Sequence, residues 1–293
     1  MMNLLRLKVV LAAIEIDETA VTTLRTASAL AAAAGARLDL VHVVHAARDD
    51  DARESKKRGE QAVRGLLSRA GIDVDNTPLH VLAGDAAHSI RVLADKIRAD
   101  VVVLGPHRQE IDRGNRLGST ALAIVTASWA PCLIVTERMR LPLERVLVPV
   151  DLSDTARGAL VVGLSWASAL RSQRSDTDPG VRLTALYADQ SSSERGTAPV
   201  PQLEAELMHV RAAAGTWSGV AIEGPEIVPG DPATVIAAYA TEQPVGLIVM
   251  GTRGLGLDTP GRLGSVAGDV ANRVDTPILL VPPAVWQAHA DAW

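Results

Sequence analysis

The stretch ERVLVPVDLSDTA, residues 144–156, decides the fold, because the chain has already run through the same pattern in KVVLAAIEIDETA, residues 8–20. Each copy is a short apolar run that ends at an acidic residue and leads into a helical segment. Strands of this kind, apolar along their whole length, are typical of a parallel sheet that is buried on both faces.

Further blocks repeat in the same order. GDAA at residues 84–87 matches GDPA at 230–233, and RLGS at 116–119 recurs at 262–265. Self-similarity that extends over the whole chain indicates an internal duplication. A length of 293 residues also agrees with two domains.

The duplication predicts two domains, residues 1–139 and residues 143–293. The boundary is the charged segment 137–143, which contains Pro142. The second half is longer, and its extra residues are predicted within 172–180 and 190–201.

Apolar runs alternate with longer helical segments in both halves, which predicts open, doubly wound parallel sheets of Rossmann-like type. Strands are predicted near 7–14, 38–44, 77–82, 100–105 and 132–136, and again near 145–150, 182–187, 224–228, 246–251 and 277–281. Helices of the first half are predicted at 18–34, 52–70, 86–98 and 118–128.

Composition narrows the classes of function. The net charge of −5 offers no basic field for nucleic acid or an anionic membrane. Cys132 is the single cysteine, so an intrachain disulfide is excluded. Because it lies in an apolar run, we interpret it as a core residue. The N-terminus lacks the apolar core of a signal peptide, and Ala27–Ala36 is too short to span a membrane. We therefore expect a cytoplasmic protein.

A glycine-rich loop in the second half is the strongest chemical signal. Gly251-Thr252-Arg253-Gly254 follows a predicted strand, and Gly264-Ser265 opens a helix, which gives the pattern G-x2-G-x9-G-S. Phosphate oxygens need bare backbone amides at close range. Glycine suits these positions because it has no Cβ to block access, and we expect these glycines to adopt positive φ angles. A helix N-terminus at Gly264-Ser265 would favour an anion.

Asp151 follows the first strand of the same half, where the carboxyl ends of parallel strands meet. Its carboxylate is suited to accept hydrogen bonds from an adenine amino group or a ribose hydroxyl. An aspartate and a glycine loop in this order together predict a nucleotide site, although a glycine-rich turn with a serine cap remains the simpler interpretation of the loop alone.

These motifs resemble the universal stress protein family, specifically its tandem members. The resemblance is carried by VPVD at 148–151, GDPA at 230–233, the glycine loop, and the closing strand PILLV at 277–281. The resemblance implies that the protein binds ATP together with Mg²⁺ and acts as a regulatory stress-response protein. The residues to which it assigns the ATP site are Pro149, Val150, Asp151, Gly251, Thr252, Arg253, Gly254, Gly264, Ser265 and Val266.

The first half departs from that pattern. Glu15 stands in place of Asp151, Ala13 in place of Pro149, and Arg108 in place of Gly254. We expect the Arg108 side chain to fill the space that phosphates need, so that the first half has lost ATP and supports its partner domain. The alternative is that Arg108, Arg113 and Arg116 serve a different anionic ligand.

Several other polar residues have structural interpretations. Ser153, Asp85 and Asp231 are predicted to be helix N-caps. His42 aligns with Tyr187 and is interpreted as a packing residue, and His107 as a solvated loop residue. Trp286 and Trp293 are predicted to share one helix face that docks onto the body or a partner.

Three functions are weighed. The leading one is a nucleotide-binding regulatory protein with little or no turnover, because no general base or metal-binding carboxylate pair accompanies the loop. Asp258 is the one acidic residue within it. The second is an ATP-hydrolysing enzyme of the same architecture, and the third is a ligand-free protein-interaction module with an unknown protein partner.

Assembly is expected to follow the family, whose domains often pair through their last strands. Within one chain, residues 132–135 and 278–281 would then pair about a pseudo-twofold axis and cover two sheet edges. A homodimer is a further possibility.

Overall fold

The computed structural model describes residues 7–45, 49–106, 117–171, 180–190, 199–214, 219–254 and 261–287. The chain divides into two compact units, one formed by Leu7–Arg138 and the other by the described residues from Met139 onward. The predicted segments of extra length, 172–180 and 190–201, lie mostly outside the described residues, as do His107, Arg108, Arg113, Arg116, Asp258 and Trp293.

The first unit is a five-stranded parallel sheet with helices in the connections. Its strands are β1 (Val9–Ala13), β2 (Arg37–Val44), β3 (Leu79–Ala83), β4 (Val101–Leu104) and β5 (Cys132–Ile134). Its helices are α1 (Ala20–Ala34), α2 (Asp49–Ala70), α3 (Ala86–Ile97) and α4 (Ser119–Ala127). The strand order is β3-β2-β1-β4-β5, and each of these pairs is parallel.

The second unit repeats this arrangement. Its strands are β6 (Arg145–Pro149), β7 (Val181–Asp189), β8 (Val220–Pro229), β9 (Leu247–Gly251) and β10 (Ile278–Val281). Its helices are α5 (Asp154–Ala169), α6 (Val200–Ala214), α7 (Pro232–Glu242), α8 (Ser265–Arg273) and α9 (Pro283–Gln287). The order β8-β7-β6-β9-β10 is again parallel throughout. The predicted fold class of two repeated α/β units is confirmed.

The central strands carry the core of each unit. Leu11 in β1 and Leu147 in β6 occupy equivalent positions, and both are fully buried. Because the chain has no Phe and only 2% aromatic residues, leucine, valine, isoleucine and alanine fill most of the space between sheet and helices. Trp166 in α5 is a large exception, with 2% of its surface exposed.

One strand is longer than its sequence indicates. β8 runs over Val220–Pro229, whereas the sequence predicts a strand only near 224–228. Its register against β7 shifts between Thr184 and Leu186, at Gly224-Pro225. Gly224 has a φ of 99°, and a Cβ there would stand 2.5 Å from the carbonyl oxygen of Ala185. Glycine is therefore required at this irregularity. The proline beside it, which has no N–H to donate, is tolerated because the regular ladder of hydrogen bonds is interrupted there.

Among the described residues, no helix is long and apolar enough to cross a membrane.

Leu147→Ala should lower the free energy of unfolding of the second unit by about 2–5 kcal/mol, because it leaves a cavity at the centre of a close-packed sheet. Urea denaturation followed by circular dichroism measures the effect. Met208→Ala is the control, since 67% of the Met208 surface is exposed, and it should change stability by less than about 0.5 kcal/mol. Equal effects of the two substitutions would contradict this account of the core.

Candidate functional site

The carboxyl ends of β6 and β9 border a cavity of about 390 Å³ in the second unit. β6 is hydrogen-bonded to β7 on one side and to β9 on the other, so the order of strands along the chain reverses at this point. Open parallel sheets bind ligands in the crevice beyond such a reversal. The volume lies within the usual range of small-molecule pockets, about 300–1,000 Å³.

All but one of the residues that the sequence assigns to the site line this cavity. They are Pro149, Val150, Asp151, Gly251, Arg253, Gly254, Gly264, Ser265 and Val266. Thr252 is the exception: it is buried, its N–H donates to the carbonyl of Val281 at 2.9 Å, and its carbonyl accepts from Gly264 at 2.8 Å. Thr252 therefore holds the loop to the sheet.

Asp151 is fixed by the turn that follows β6. The Ser153 N–H donates to Asp151 Oδ1 at 3.0 Å, and the Ser153 hydroxyl donates to the same oxygen. Leu152, between them, has a φ of 66°. A leucine in the left-handed region is costly, by roughly 1–2 kcal/mol, and backbone strain of this kind tends to occur at functional sites.

Ser153 and Thr155 connect this turn to the glycine loop. Ser153 is the N-cap of α5 and accepts from the N–H of Ala156 at 3.2 Å, which confirms its predicted capping role. Its hydroxyl lies 3.1 Å from the Thr155 hydroxyl, which in turn donates to the carbonyl of Arg253. Each hydroxyl has one hydrogen and donates it elsewhere, so the Ser153–Thr155 contact is not itself a hydrogen bond: Ser153 holds Asp151, and the adjacent Thr155 holds the loop after β9.

The glycines of the loop are explained by their close approach to Asp151 and Thr155. A Cβ on Gly251 would stand 2.7 Å from Thr155 Cβ, and a Cβ on Gly254 would stand 2.6 Å from Asp151 Oδ2. Any side chain at position 254 would therefore press on the Asp151 carboxylate. The carboxylate and the loop are parts of one site.

The expectation of positive φ angles at these glycines is wrong. None of Gly251, Gly254 and Gly264 has a positive φ, whereas Gly261 in the same loop has a φ of 78°. The physical reason for glycine at 251 and 254 is lack of space for a Cβ.

The N-terminus of α8 supplies amide donors at the other end of the cavity. Gly264 is its N-cap, with φ −60° and ψ 145°, and no side chain of the described residues caps the helix there. The first amides of a helix have no partner within it. Ser265 and Val266 line the cavity, so this end is suited to an anion.

Tyr187, at the end of β7, lines the cavity and is missing from the predicted site. Burial raises the pKa of the Tyr187 hydroxyl, and the negative charges of Asp189 and then of Asp151 raise it further. The alignment of Tyr187 with His42 suggested packing alone. Leu186, Ala188, Pro232, Ile236 and Met250 complete an apolar wall that the motifs did not reveal.

The first unit has a cavity of the same volume, about 390 Å³, at the ends of β1, β2 and β4. Gly105 packs here as Gly251 does in the second unit, since a Cβ on it would stand 2.6 Å from Thr23 Oγ1. Asp17, the counterpart of Ser153, stabilises the turn before α1: its Oδ1 accepts from the N–H groups of Thr19 at 2.9 Å and Ala20 at 3.0 Å, while Thr19, the N-cap, makes no side-chain capping bond.

The remaining candidates have structural roles. Asp85 caps α3 by accepting from the N–H of His88, and Asp231 caps α7 by accepting from the N–H of Thr234, as predicted. Cys132 is buried, and burial raises the pKa of its thiol to about 12, which agrees with a core residue. Among the described residues, no group of three or more histidine, cysteine, aspartate or glutamate side chains could hold a metal ion.

The sequence was compared with models of known protein families. The model of the universal stress protein family matches it twice, over residues 6–136 and residues 142–282. The chain belongs to the universal stress protein family. It is a tandem member, with one family domain in each unit. No curated protein gives a significant match to the sequence.

Solved structures show the same two-domain fold. A universal stress protein from Archaeoglobus fulgidus DSM 4304 aligns with a TM-score of 0.67 and 21% identity, over 94% of this chain and 96% of that one. A putative universal stress protein from Pseudomonas aeruginosa UCBPP-PA14 aligns with a TM-score of 0.64 and 15% identity, over 98% and 97%. At these identities the likeness shows the fold alone.

Replacing Asp189 with asparagine should lower the pKa of the Tyr187 hydroxyl, because one of the negative charges that oppose its ionisation is removed. A spectrophotometric titration of tyrosinate measures the change. The chain has only two tyrosines, so a Tyr239→Phe background isolates Tyr187. A pKa that stays unchanged or rises in this background would contradict the proximity of the two side chains.

Proposed function

We propose that the second domain of this universal stress protein binds ATP, with its Mg²⁺, in the cavity at the ends of β6 and β9. Binding would serve as a regulatory signal in the cytoplasm, in response to stress, with little or no turnover. The observation that carries the proposal is that one cavity joins the Asp151 carboxylate, bare glycine backbone beside it, and the uncapped N-terminus of α8.

The end of the cavity around α8 has the chemistry of a phosphate site. Gly254 and Gly264 leave the backbone accessible, and the first amides of α8 add donors and the positive end of a helix dipole. Arg253, which also lines the cavity, adds a positive charge. These groups would hold the triphosphate.

The other end suits an adenosine. Ile236 and Met250 contribute apolar surface to the wall of the cavity, and Pro149 and Val150 lead up to Asp151. Ser153 engages Oδ1 of Asp151, but an ionised carboxylate has about four lone-pair sites. The Asp151 carboxylate can therefore accept a further hydrogen bond, from a ribose hydroxyl or an adenine amino group.

Turnover is expected to be slow because the described lining offers few groups that could activate water. Its single carboxylate is Asp151, which the turn already holds in place. Since no metal-binding cluster occurs among the described residues, Mg²⁺ would be held chiefly by the phosphates and water. The described lining would then offer hydrolysis neither a placed base nor a protein ligand for the metal.

We also propose that the functional domains run over residues 1–139 and 143–293. The two matches of the family model, at residues 6–136 and 142–282, support those limits. With a net charge of −5, nucleic acid is not expected as a partner, and the protein that reads the ATP-bound state is unidentified.

The first test is to denature freshly purified protein and assay the supernatant for nucleotide, and then to titrate the stripped protein with Mg·ATP by calorimetry. We expect about one ATP or ADP per chain. A wild-type protein that releases no nucleotide and does not bind Mg·ATP would contradict the proposal, and would favour a protein-interaction module without a ligand.

Gly254→Ala should weaken Mg·ATP binding by at least about tenfold, because the new methyl group would displace the Asp151 carboxylate, and a charged hydrogen bond contributes about 1.5–3 kcal/mol. Gly268→Ala is the matched control: it adds the same methyl group in α8, where the nearest atom, Leu263 Cδ2, is at an ordinary 3.7 Å. Affinity should be unchanged in the control. An equal loss in both variants would indicate an indirect effect.

A further inference from the structure

Tyr187 stands beside Asp151 because β7 extends past the end of β6. Pro149 pairs with Leu186, and the N–H of Val150 donates to the carbonyl of Leu186 at 2.9 Å. β6 ends at Pro149, whereas β7 continues beyond Leu186. The last residues of β7 therefore form a side wall next to the turn that holds Asp151, and Tyr187 lines the cavity as part of this wall.

The first unit shows what a side chain at this strand position can reach. The counterpart of Tyr187 is His42, whose Nδ1 lies 2.8 Å from the carbonyl oxygen of Ile14. Ile14 corresponds to Val150, the residue directly before Asp151. A ring at this position therefore lies against the end of the central strand. Tyrosine is longer than histidine, and it carries its hydroxyl on the far side of the ring.

The Tyr187 hydroxyl lies within electrostatic reach of Asp151. Burial raises the pKa of this hydroxyl, and the negative charges of Asp189 and then of Asp151 raise it further. The phenol therefore keeps its proton near neutral pH and acts as a hydrogen-bond donor. An ionised carboxylate such as that of Asp151 can only accept. The cavity thus presents a donor and an acceptor side by side.

A ligand hydroxyl can satisfy this donor and this acceptor through a single oxygen atom. A hydroxyl donates one hydrogen and accepts through two lone pairs. It can therefore donate to the Asp151 carboxylate while it accepts from the Tyr187 hydroxyl. The diol of a ribose offers two such groups. The edge of an adenine also places a donor next to an acceptor, so the location of Asp151 in the cavity must distinguish the two.

That location favours the sugar over the base. A Cβ on Gly254 would stand 2.6 Å from Asp151 Oδ2, so the carboxylate lies against the loop that would hold the triphosphate. In a nucleotide the sugar joins the base to the phosphates. The part of the ligand next to the phosphate loop is therefore the ribose, and the apolar wall with Ile236 and Met250 is left for the base.

From these observations we infer that Tyr187 is a specificity-determining residue: its hydroxyl and the Asp151 carboxylate together bind a ribose hydroxyl and select ATP over its deoxy analogues. The inference rests on the function proposed for this cavity. A site built around a hydroxyl discriminates against a ligand that lacks it, because the polar groups of the site then lose their partner. The domain would respond to ATP and much less to its deoxy forms.

Calorimetry on the full-length protein, stripped of nucleotide, measures the affinities for ATP, 2′-deoxy-ATP and 3′-deoxy-ATP, each with Mg²⁺. We expect at least one deoxy analogue to bind at least about fivefold more weakly than ATP, because a hydrogen bond to Asp151 and one from Tyr187 are lost. Tyr187→Phe removes the hydroxyl and keeps the ring. In this variant the affinity ratio of ATP to that analogue should fall by at least about threefold.

Tyr239→Phe is the matched control. Tyr239 is the other tyrosine of the chain, and its hydroxyl donates to Glu226 Oε2 at 2.9 Å, outside the lining of the cavity. Its affinity ratio of ATP to the deoxy analogue should equal that of the wild type. The ratio also separates recognition from packing, because a purely structural role of Tyr187 would weaken the binding of ATP and of the analogue alike.

The inference is overturned if both deoxy analogues bind the wild type within about fivefold of ATP, if Tyr187→Phe lowers the ratio by less than about threefold, or if Tyr239→Phe lowers it as much. Failure of the proposed function gives a different result. A wild-type protein that binds none of the three nucleotides removes the function and the inference together, whereas binding of all three with equal affinity removes the inference alone.

Discussion

Each unit depends on a central strand, β1 or β6, that is hydrogen-bonded on both sides to parallel neighbours. The helical connections from such a strand cover the sheet, and the loops at its carboxyl end separate in opposite directions. A crevice at this position is therefore a result of strand order. Duplication of the fold duplicates the crevice, and only the loops decide what each copy can hold.

The loops of the second unit are fitted to one another at atomic distance. Gly254 comes so close to Asp151 that a methyl group could not be added without moving the carboxylate. The Thr155 hydroxyl, bonded to the carbonyl of Arg253, fixes the loop from the other side. An aspartate and a glycine 103 positions apart in the sequence are thus constrained together, which explains why both belong to one motif.

The fold and most of the lining of the candidate site could be predicted from sequence, because apolar strands, repeated blocks and glycine spacing are local signals. Tyr187 could not, since its position beside Asp151 depends on the pairing of β7 with β6. Thr252 lies between two glycines, which suggests contact with a ligand. Its backbone hydrogen bonds to Val281 and Gly264 instead hold it to the sheet and the loop, and it is buried. The extent of β8 was missed because glycine and proline at an irregularity resemble a turn. The positive φ angles were wrongly expected because glycine serves two purposes, and only the three-dimensional neighbours distinguish them.

The left-handed backbone of Leu152 has a consequence for the history of the duplicated chain. Its counterpart in the first unit is Ile16, which has no positive φ. A β-branched side chain is less tolerant of that region than leucine. Although the two stretches read almost alike, gene conversion that copied residues 8–20 over 144–156 would put isoleucine where the chain must turn left-handed. Exchange of these stretches would therefore strain the turn after β6, so the two copies are not interchangeable at this position.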